Sequence, residues 1–433
     1  MSKTMSTIPL VGVEQVLIVN KMERSVAVIP LLYIDPGTGS ILFSIVIGLI
    51  TTLYFVAKTA FIKLKVAVYK DNEKATGKKN SVVIYSEGTR YWNVFLPICN
   101  EFEKHKEELV FYTSSEDDPV FSQNYTYIKA EYIGKGNRAF ARLNMLESDI
   151  CLMTTPGLDV YQLKRSKHVR HYSHILHALD DATSYRLFGL DYFDSVLLSG
   201  EYQIKGIREL ESLRNLPQKD LRVVGCPYLD VLSEKIKDLS KTDTGFTVLI
   251  APSWGANGIL SKYGEQLITP LVETGWNIII RPHPQSKTSE ADMLKRLEEK
   301  YKDVSNLVWD YNSENINSLS KADIMISDFS SVIFDYCFLF DKPFLYCNNE
   351  FDHRPYDSGD LKETPWKFSV LKEIGVELNS HSFDHIKEII SEACKSETLK
   401  ENRLKAKDTA WQNRGHAGEA VYDFLTEIRI KEH

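Results

Sequence analysis

A chain of 433 residues with 43% hydrophobic and 26% charged residues has an ordinary globular composition, with room for two domains and an extra segment. The formal net charge of −7 excludes a general nucleic-acid binder, which carries a basic domain. Six cysteines (Cys99, Cys151, Cys226, Cys337, Cys347 and Cys394) are scattered with no C-x-x-C pair, which points to reduced, mostly buried thiols on the cytosolic side.

The uncharged run from Ile41 to Ala57, ILFSIVIGLITTLYFVA, gives about 25 Å of helix, the lower limit for crossing a bilayer. Lys58, Lys63, Lys65 and Lys70 follow it, whereas Asp35 is the nearest charge before it. That lysine excess predicts a single-pass anchor in the cytoplasmic membrane, with residues 1–40 outside and everything after the basic linker of residues 58–80 in the cytoplasm. A buried or interfacial helix is the alternative.

Strand–helix alternation then begins. Ser81–Tyr85, Glu108–Thr113, Tyr125–Ile133, Asp149–Met153, His171–His177, Ser195–Leu198 and Leu221–Val224 are predicted strands, with helices over Trp92–Lys106 and Ala139–Leu146. The polar stretch Lys237–Gly245 is the boundary, so residues 81–236 form a first α/β domain. The pattern restarts with strands at Phe246–Ala251, Trp276–Ile280, Leu307–Trp309, Ile324–Ile326 and Pro343–Tyr346, giving a second domain over residues 246–400. Helices in residues 401–433 are expected to cross back over the first. Such alternation implies two mostly parallel, Rossmann-like sheets facing each other across a ligand cleft.

Gly134-Lys135-Gly136-Asn137-Arg138-Ala139 matches the loose G-x-G-x-x-A pattern, but no acidic residue ends the next predicted strand, which runs into Thr154 and Thr155. A tight turn or a loop facing an acceptor is the better reading, and Thr154 and Thr155 become cleft-lining candidates. His168, His171, His174 and His177 recur every third residue, yet no carboxylate or cysteine completes a ligand set, so no metal is assigned. His177 ends its predicted strand where a loop would open into the cleft, placing it either as a general base or as a structural histidine.

Pro252-Ser253-Trp254-Gly255 ends the first strand of the second domain, making Ser253 and Trp254 further cleft candidates. Arg281-Pro282-His283-Pro284 ends the next, where a guanidinium and an imidazole suit an anionic substrate, with a surface turn as the alternative. In the stretch Lys321–Pro343, a strand passes through Ser327-Asp328-Phe329-Ser330-Ser331 into a helix. A helix start of that kind cradles phosphate, or one of its own residues simply caps it. There is no G-x-x-x-x-G-K-[ST] loop and no G-x-S-x-G elbow, which argues against ordinary nucleotide hydrolysis and α/β-hydrolase chemistry.

Taken in order, these stretches resemble the CDP-glycerol glycerophosphotransferases of teichoic-acid synthesis. The resemblance is carried by Arg281–Pro284, Ser327–Ser331 and Asp341-Lys342-Pro343-Phe344, and upstream by His174–Leu179, Phe193–Leu197 and Gly225-Cys226-Pro227-Tyr228-Leu229-Asp230. It covers about residues 80–425 and departs at His177-Ala178, where the family has His-Gly or His-Ser, and at Ser253-Trp254-Gly255, where it has Thr-Trp-Arg.

The resemblance implies a GT-B-like fold that transfers glycerol phosphate or ribitol phosphate from a CDP-polyol to a hydroxyl of a lipid-linked or polymeric acceptor of the cell envelope. It requires no cofactor, metal or nucleic acid. His177 would activate the acceptor and His283 would stand near the donor phosphates. Ser330 and Ser331 would hold the pyrophosphate, with Arg281 and Ser327 beside them. Asp328 would order that loop or meet a hydroxyl. A glycosyltransferase using a nucleotide sugar, and a membrane-tethered binding module without catalysis, are the competing functions.

Overall fold

The computed structural model of the protein describes residues 43–60, 80–239, 245–312, 314–349 and 351–431. The segment expected outside the membrane and most of the basic linker lie outside these residues. Phe43–Ala60 is a helix, α1, with a mean hydropathy of 1.7 and no buried surface, long and apolar enough to cross a membrane. It belongs to a separate unit from the rest of the chain.

From residue 80 onward the chain builds two parallel sheets. The first contains β1 (Asn80–Ser86), β2 (Leu109–Thr113), β3 (Ile128–Tyr132), β4 (Glu147–Met153), β5 (His168–Ile175), β6 (Ser195–Leu198) and β7 (Asp220–Val223). Its helices are α2 (Trp92–Lys104), α3 (Asn137–Leu143), α4 (Ile204–Leu213) and α5 (Pro227–Lys235). The spatial order is β3-β2-β1-β4-β5-β6-β7, so the order reverses between β1 and β4.

The second sheet contains β8 (Thr247–Ile250), β9 (Asn277–Ile280), β10 (Leu307–Trp309), β11 (Ile324–Ser327), β12 (Phe344–Cys347) and β13 (Val376–Leu378). Around it run α6 (Ile259–Glu273), α7 (Ser286–Ser289), α8 (Ala291–Lys300), α9 (Ile316–Lys321), α10 (Val332–Phe340), α11 (Trp366–Ile374), α12 (Ile386–Lys395) and α13 (Glu397–Ala410). Its order, β10-β9-β8-β11-β12-β13, repeats the first and switches between β8 and β11. Open sheets of this kind bind ligands outside the strand C-termini at such a reversal.

The inner strands β6, β8, β11 and β12 are buried along their whole length, as expected for sheets covered on both faces, whereas β3, β5 and β7 carry charged or polar residues. Val82, Ile84, Phe95, Phe111 and Ile150 form one core layer of the first sheet. The last helix, α14 (Ala417–Lys431), joins that layer through Val421, Phe424 and Leu425. The Gly225–Asp230 motif holds this return in place. Gly225 has φ +95°, and a side chain there would meet the Gln412 carbonyl at 2.6 Å. Asp230 is buried and accepts from Trp411 Nε1 at 2.9 Å and from the Ala417 N–H at 3.0 Å.

A second tie joins the two halves directly. Arg214, after α4, donates to Asp357 and Asp360 of the second half, both at 2.7 Å. Asp357 also accepts the main-chain N–H groups of Phe188 and Gly189.

Candidate active site

Between the two halves lies a cleft of about 1020 Å³. The second half gives it the loop after β8 (Ser253, Trp254), the turn after β9 (Arg281, His283) and the start of α10 (Ser330, Ser331). Arg90 and Asp180 contribute from the first half, and Lys367 from α11.

The start of α10 sits at the topological switch of the second sheet because β11 runs between β8 and β12 and ends there. Asp328 does not reach the cleft. It is fully buried and its carboxylate accepts the N–H of Ser253 (3.0 and 3.1 Å) and of Ile259 (2.8 Å). Burial raises its pKa, while the hydrogen bonds from Ser253, Ile259 and Ser330 oppose that shift. Asp328 therefore ties the loop after β8 to the end of β11. Ser327 is also fully buried, with its hydroxyl donating to the Ala251 carbonyl at 2.5 Å. The alternation of a strand explains this: its last residues point into the packed layers, and only the turn beyond them is open.

Arg281 lines the cleft, but its guanidinium is engaged. It donates to the Asp310 carboxylate and to the Asn312 carbonyl, joining the ends of β9 and β10. His283 is half-buried, its Nδ1 accepts the Gln285 N–H at 3.1 Å, and its ring tilts against Trp254 at 6.4 Å. That bond leaves the proton of the neutral ring on Nε2, so His283 offers the cleft a donor. Burial lowers its pKa, partly offset by Glu290.

On the other wall, His177 lies two residues past the end of β5. Part of its side chain reaches solvent, but the ring stands in crowded surroundings, edge-on against Tyr91 at 5.4 Å. It flanks the cleft beside Arg90 and Asp180, which line it. Desolvation lowers its pKa, Asp180 pulls it back up and Arg90 pushes it down, so the ring is neutral at pH 7. Thr154 and Thr155 sit at the switch of the first sheet and are buried under it, outside the cleft lining. Two of the other spaced histidines have ordinary partners, His171 Nε2 meeting Ser195 Oγ at 2.9 Å and His174 Nε2 meeting Tyr185 Oη at 3.0 Å, and His168 is exposed at the start of β5. The Gly134–Ala139 motif follows β3, the edge strand, away from the switch.

Asp180 and Lys367 are not among the residues that the sequence singles out. Asp180 accepts from the Ser331 hydroxyl at 2.5 Å and from Lys367 Nζ at 3.0 Å, while Lys367 also donates to Ser331 Oγ at 3.0 Å. Burial alone would raise Asp180, but Lys367 and the Ser331 and Ser184 hydroxyls outweigh it and hold the carboxyl below its ordinary range. A lysine thus stands at the helix start expected to hold phosphate, with a carboxylate from the other half seated on it. Asp180 follows His177 closely enough to have been suspected. Lys367 lies in no motif.

The profile of the CDP-glycerol:poly(glycerophosphate) glycerophosphotransferase family matches residues 52–365, more than half of the chain. The chain belongs to that family. No curated protein matches it in sequence. Among solved structures, the chain is similar to UDP-GlcNAc 2-epimerase from Methanocaldococcus jannaschii in complex with UDP-GlcNAc and UDP (13% identity, TM-score 0.51, covering 81% of this chain and 100% of that one). The enzyme of the same name from Neisseria meningitidis bound to UDP-GlcNAc gives 14% identity and a TM-score of 0.51, covering 80% and 100%. Sucrose-phosphate synthase from Thermosynechococcus elongatus gives 11% identity and a TM-score of 0.50, covering 82% and 100%. At these identities the likeness concerns the fold alone, two parallel α/β sheets in a GT-B-like arrangement.

Proposed function

We propose that this glycerophosphotransferase moves glycerol phosphate, or ribitol phosphate, from a CDP-polyol to a hydroxyl of a lipid-linked or polymeric envelope acceptor and releases CMP. The observation that carries this reading is one cleft lined by His283 and by a helix start with a lysine on it, with His177 just behind the lining residues Arg90 and Asp180. His177 takes the acceptor proton as its oxygen bonds to the β-phosphorus, and the bond to the CMP oxygen breaks. His283 Nε2–H, Lys367 and the N–H groups at the start of α10 meet the charge gathering on the phosphates. Lys367 must exchange Asp180 for the donor, so binding of CDP-polyol separates that pair.

The test supplies full-length protein with CDP-glycerol, CDP-ribitol or UDP-sugars and a lipid-linked acceptor, and follows nucleotide release. CMP from a CDP-polyol, lost in His283→Ala, is the expected result. Tight UDP-sugar binding without CDP-polyol binding would replace this donor by a nucleotide sugar. Binding of polymer without turnover of any donor would leave a tethered binding module.

We further propose that α1 anchors the enzyme in the cytoplasmic membrane with the catalytic halves on the cytoplasmic side, on the strength of the lysines that follow it. Extraction by detergent but not by high salt is the expected behaviour.

A further inference from the structure

Beyond its start, α10 continues to line the cleft along one side. Ser331 and Asp335 both face it, four residues apart. Asp335 therefore stands on the same helix face one turn further on, ~5.4 Å along the axis. Tyr228 of α5, Leu232, Ile316 and Val332 line the cleft as well and belong to one packed apolar cluster. A carboxylate is out of place in such a wall.

Asp335 is also short of partners. It is 7% exposed, and among the described residues its carboxylate holds one hydrogen bond, Oδ2 accepting from Tyr228 Oη at 3.4 Å. The other carboxylates of the cleft are engaged. Asp180 accepts from Ser331, Ser184, Lys367 and the Asp181 N–H, Asp352 is held by Arg354, and Glu314 pairs with Lys235. A desolvated carboxylate with one long bond is costly to keep. Burial accordingly pushes the Asp335 carboxyl up to about 7. A role in the dipole of α10 would need no burial.

We propose that Asp335 and Tyr228 form the subsite for the hydroxyls of the polyol that the donor carries on its outer phosphate. This rests on the reading of the cleft as a CDP-polyol site with the phosphates at the start of α10. With the outer phosphate at Ser330 and Ser331, one helical turn is about the reach from it to the second and third carbons of the polyol. A carboxylate accepts hydroxyl protons and repels phosphate, so this wall suits the neutral end of the donor and disfavours a further phosphate there. Tyr228 gives its one proton to Asp335, which leaves the phenol oxygen to accept from a second hydroxyl. Both residues bind and orient the transferred group and take no part in making or breaking bonds. They set specificity, because a donor without hydroxyls at that reach gains nothing from them.

Calorimetry on full-length protein tests this by comparing CDP, which lacks the polyol, with CDP-glycerol or CDP-ribitol, whichever the wild type binds. Asp335→Ala should weaken the CDP-polyol about tenfold or more, as for a lost hydrogen bond to a charged group, and leave CDP unchanged. Tyr228→Phe should weaken the CDP-polyol less and also leave CDP unchanged. Retained CDP binding shows that a variant is folded, and Asp335→Asn replaces the alanine variant if that one is not. Equal losses for CDP and the CDP-polyol, or no loss for either, would overturn the proposal. So would an unchanged donor affinity with a raised KM for the acceptor, which would assign the hydroxyls to the acceptor. A wild type that binds neither CDP-polyol would instead remove the donor reading itself, before any variant is made.

Discussion

The two halves of the molecule share one strand order but finish their strand ends differently. In the β8–β13 half, carboxylates that never enter the cleft hold the loops: Asp328 gathers the main-chain N–H groups of Ser253 and Ile259, and Asp310 takes the guanidinium of Arg281. In the β1–β7 half, the loop after β5 adds side chains bonded to side chains, with Tyr185 between His174 and His177 and Asp180 reaching over to Ser331 and Lys367, beside backbone ties from Gln203 to the Asp180 carbonyl and from the Lys367 N–H to Asp181. A carboxylate bonded to the backbone freezes a loop. Side chains bonded to one another can exchange partners when a ligand arrives. On the proposed reading, the loop after β8 is preformed, and the bonds that a donor would exchange are those that Asp180 makes across to Ser331 and Lys367.

The comparison is broken most severely by removing the chemistry itself. His177→Ala should lower kcat for CMP release by about 10²–10⁴-fold, the range for a lost general base, with donor binding retained. His283→Ala should lose donor binding as well, which calorimetry would register. Because desolvation lowers the His177 pKa below its ordinary value, wild-type kcat should be flat near pH 7 and fall only as pH drops through that lowered value. An acid limb above pH 6.5 would contradict this.

Stability tests the frozen side. Asp328→Ala strands two buried N–H donors, each at roughly 1–3 kcal/mol, so a loss on the order of 2–5 kcal/mol in denaturant unfolding is expected. A loss below 1 kcal/mol would mean the loop does not depend on it. The exchangeable side should show coupling: a double-mutant cycle on Asp180→Asn and Lys367→Met should give about 1–3 kcal/mol without donor and less with CDP-glycerol bound.

The smallest expected effect concerns Asp335, which is buried on α10 at the cleft wall near Tyr228. Burial first, opposed by the Tyr228 hydrogen bond and helped by Asp180, raises its pKa to about 7. A carboxyl raised in the folded state is stabilising while protonated, below the unfolded value, and loses that contribution as pH climbs through about 7. Asp335→Asn should therefore remove roughly 1–2 kcal/mol of the decline in stability between pH 5 and pH 7. An unchanged slope would place the titration elsewhere.

Most of the frame was legible along the chain. Apolar runs such as Val82–Ile84 and Ile324–Ile326 can satisfy their backbone and bury both faces only in a covered parallel sheet, so fold class and strand positions followed from periodicity. The short edge strand β13, with an exposed Glu377, carried too weak a pattern. The order of Arg281–Pro284, Ser327–Ser331 and the other motifs carried the resemblance to the family, and the position of these two at strand ends pointed to the crevice, because α/β sheets bind ligands there.

What each side chain does there was decided by tertiary structure. Ser327 and Ser331 are both serines of one turn, yet packing buries the first under Ala251 and sets the second across the cleft on Asp180. Arg281 lines the cleft as its strand-end position suggests, but only the fold shows that β10 brings Asp310 to its guanidinium. Lys367 had no motif at all. Charge partners distant in sequence meet only when two sheets face each other, and burial then fixes which groups are ionised. Local pattern determines strands and turns; the partner of a charge is a property of the assembled cleft.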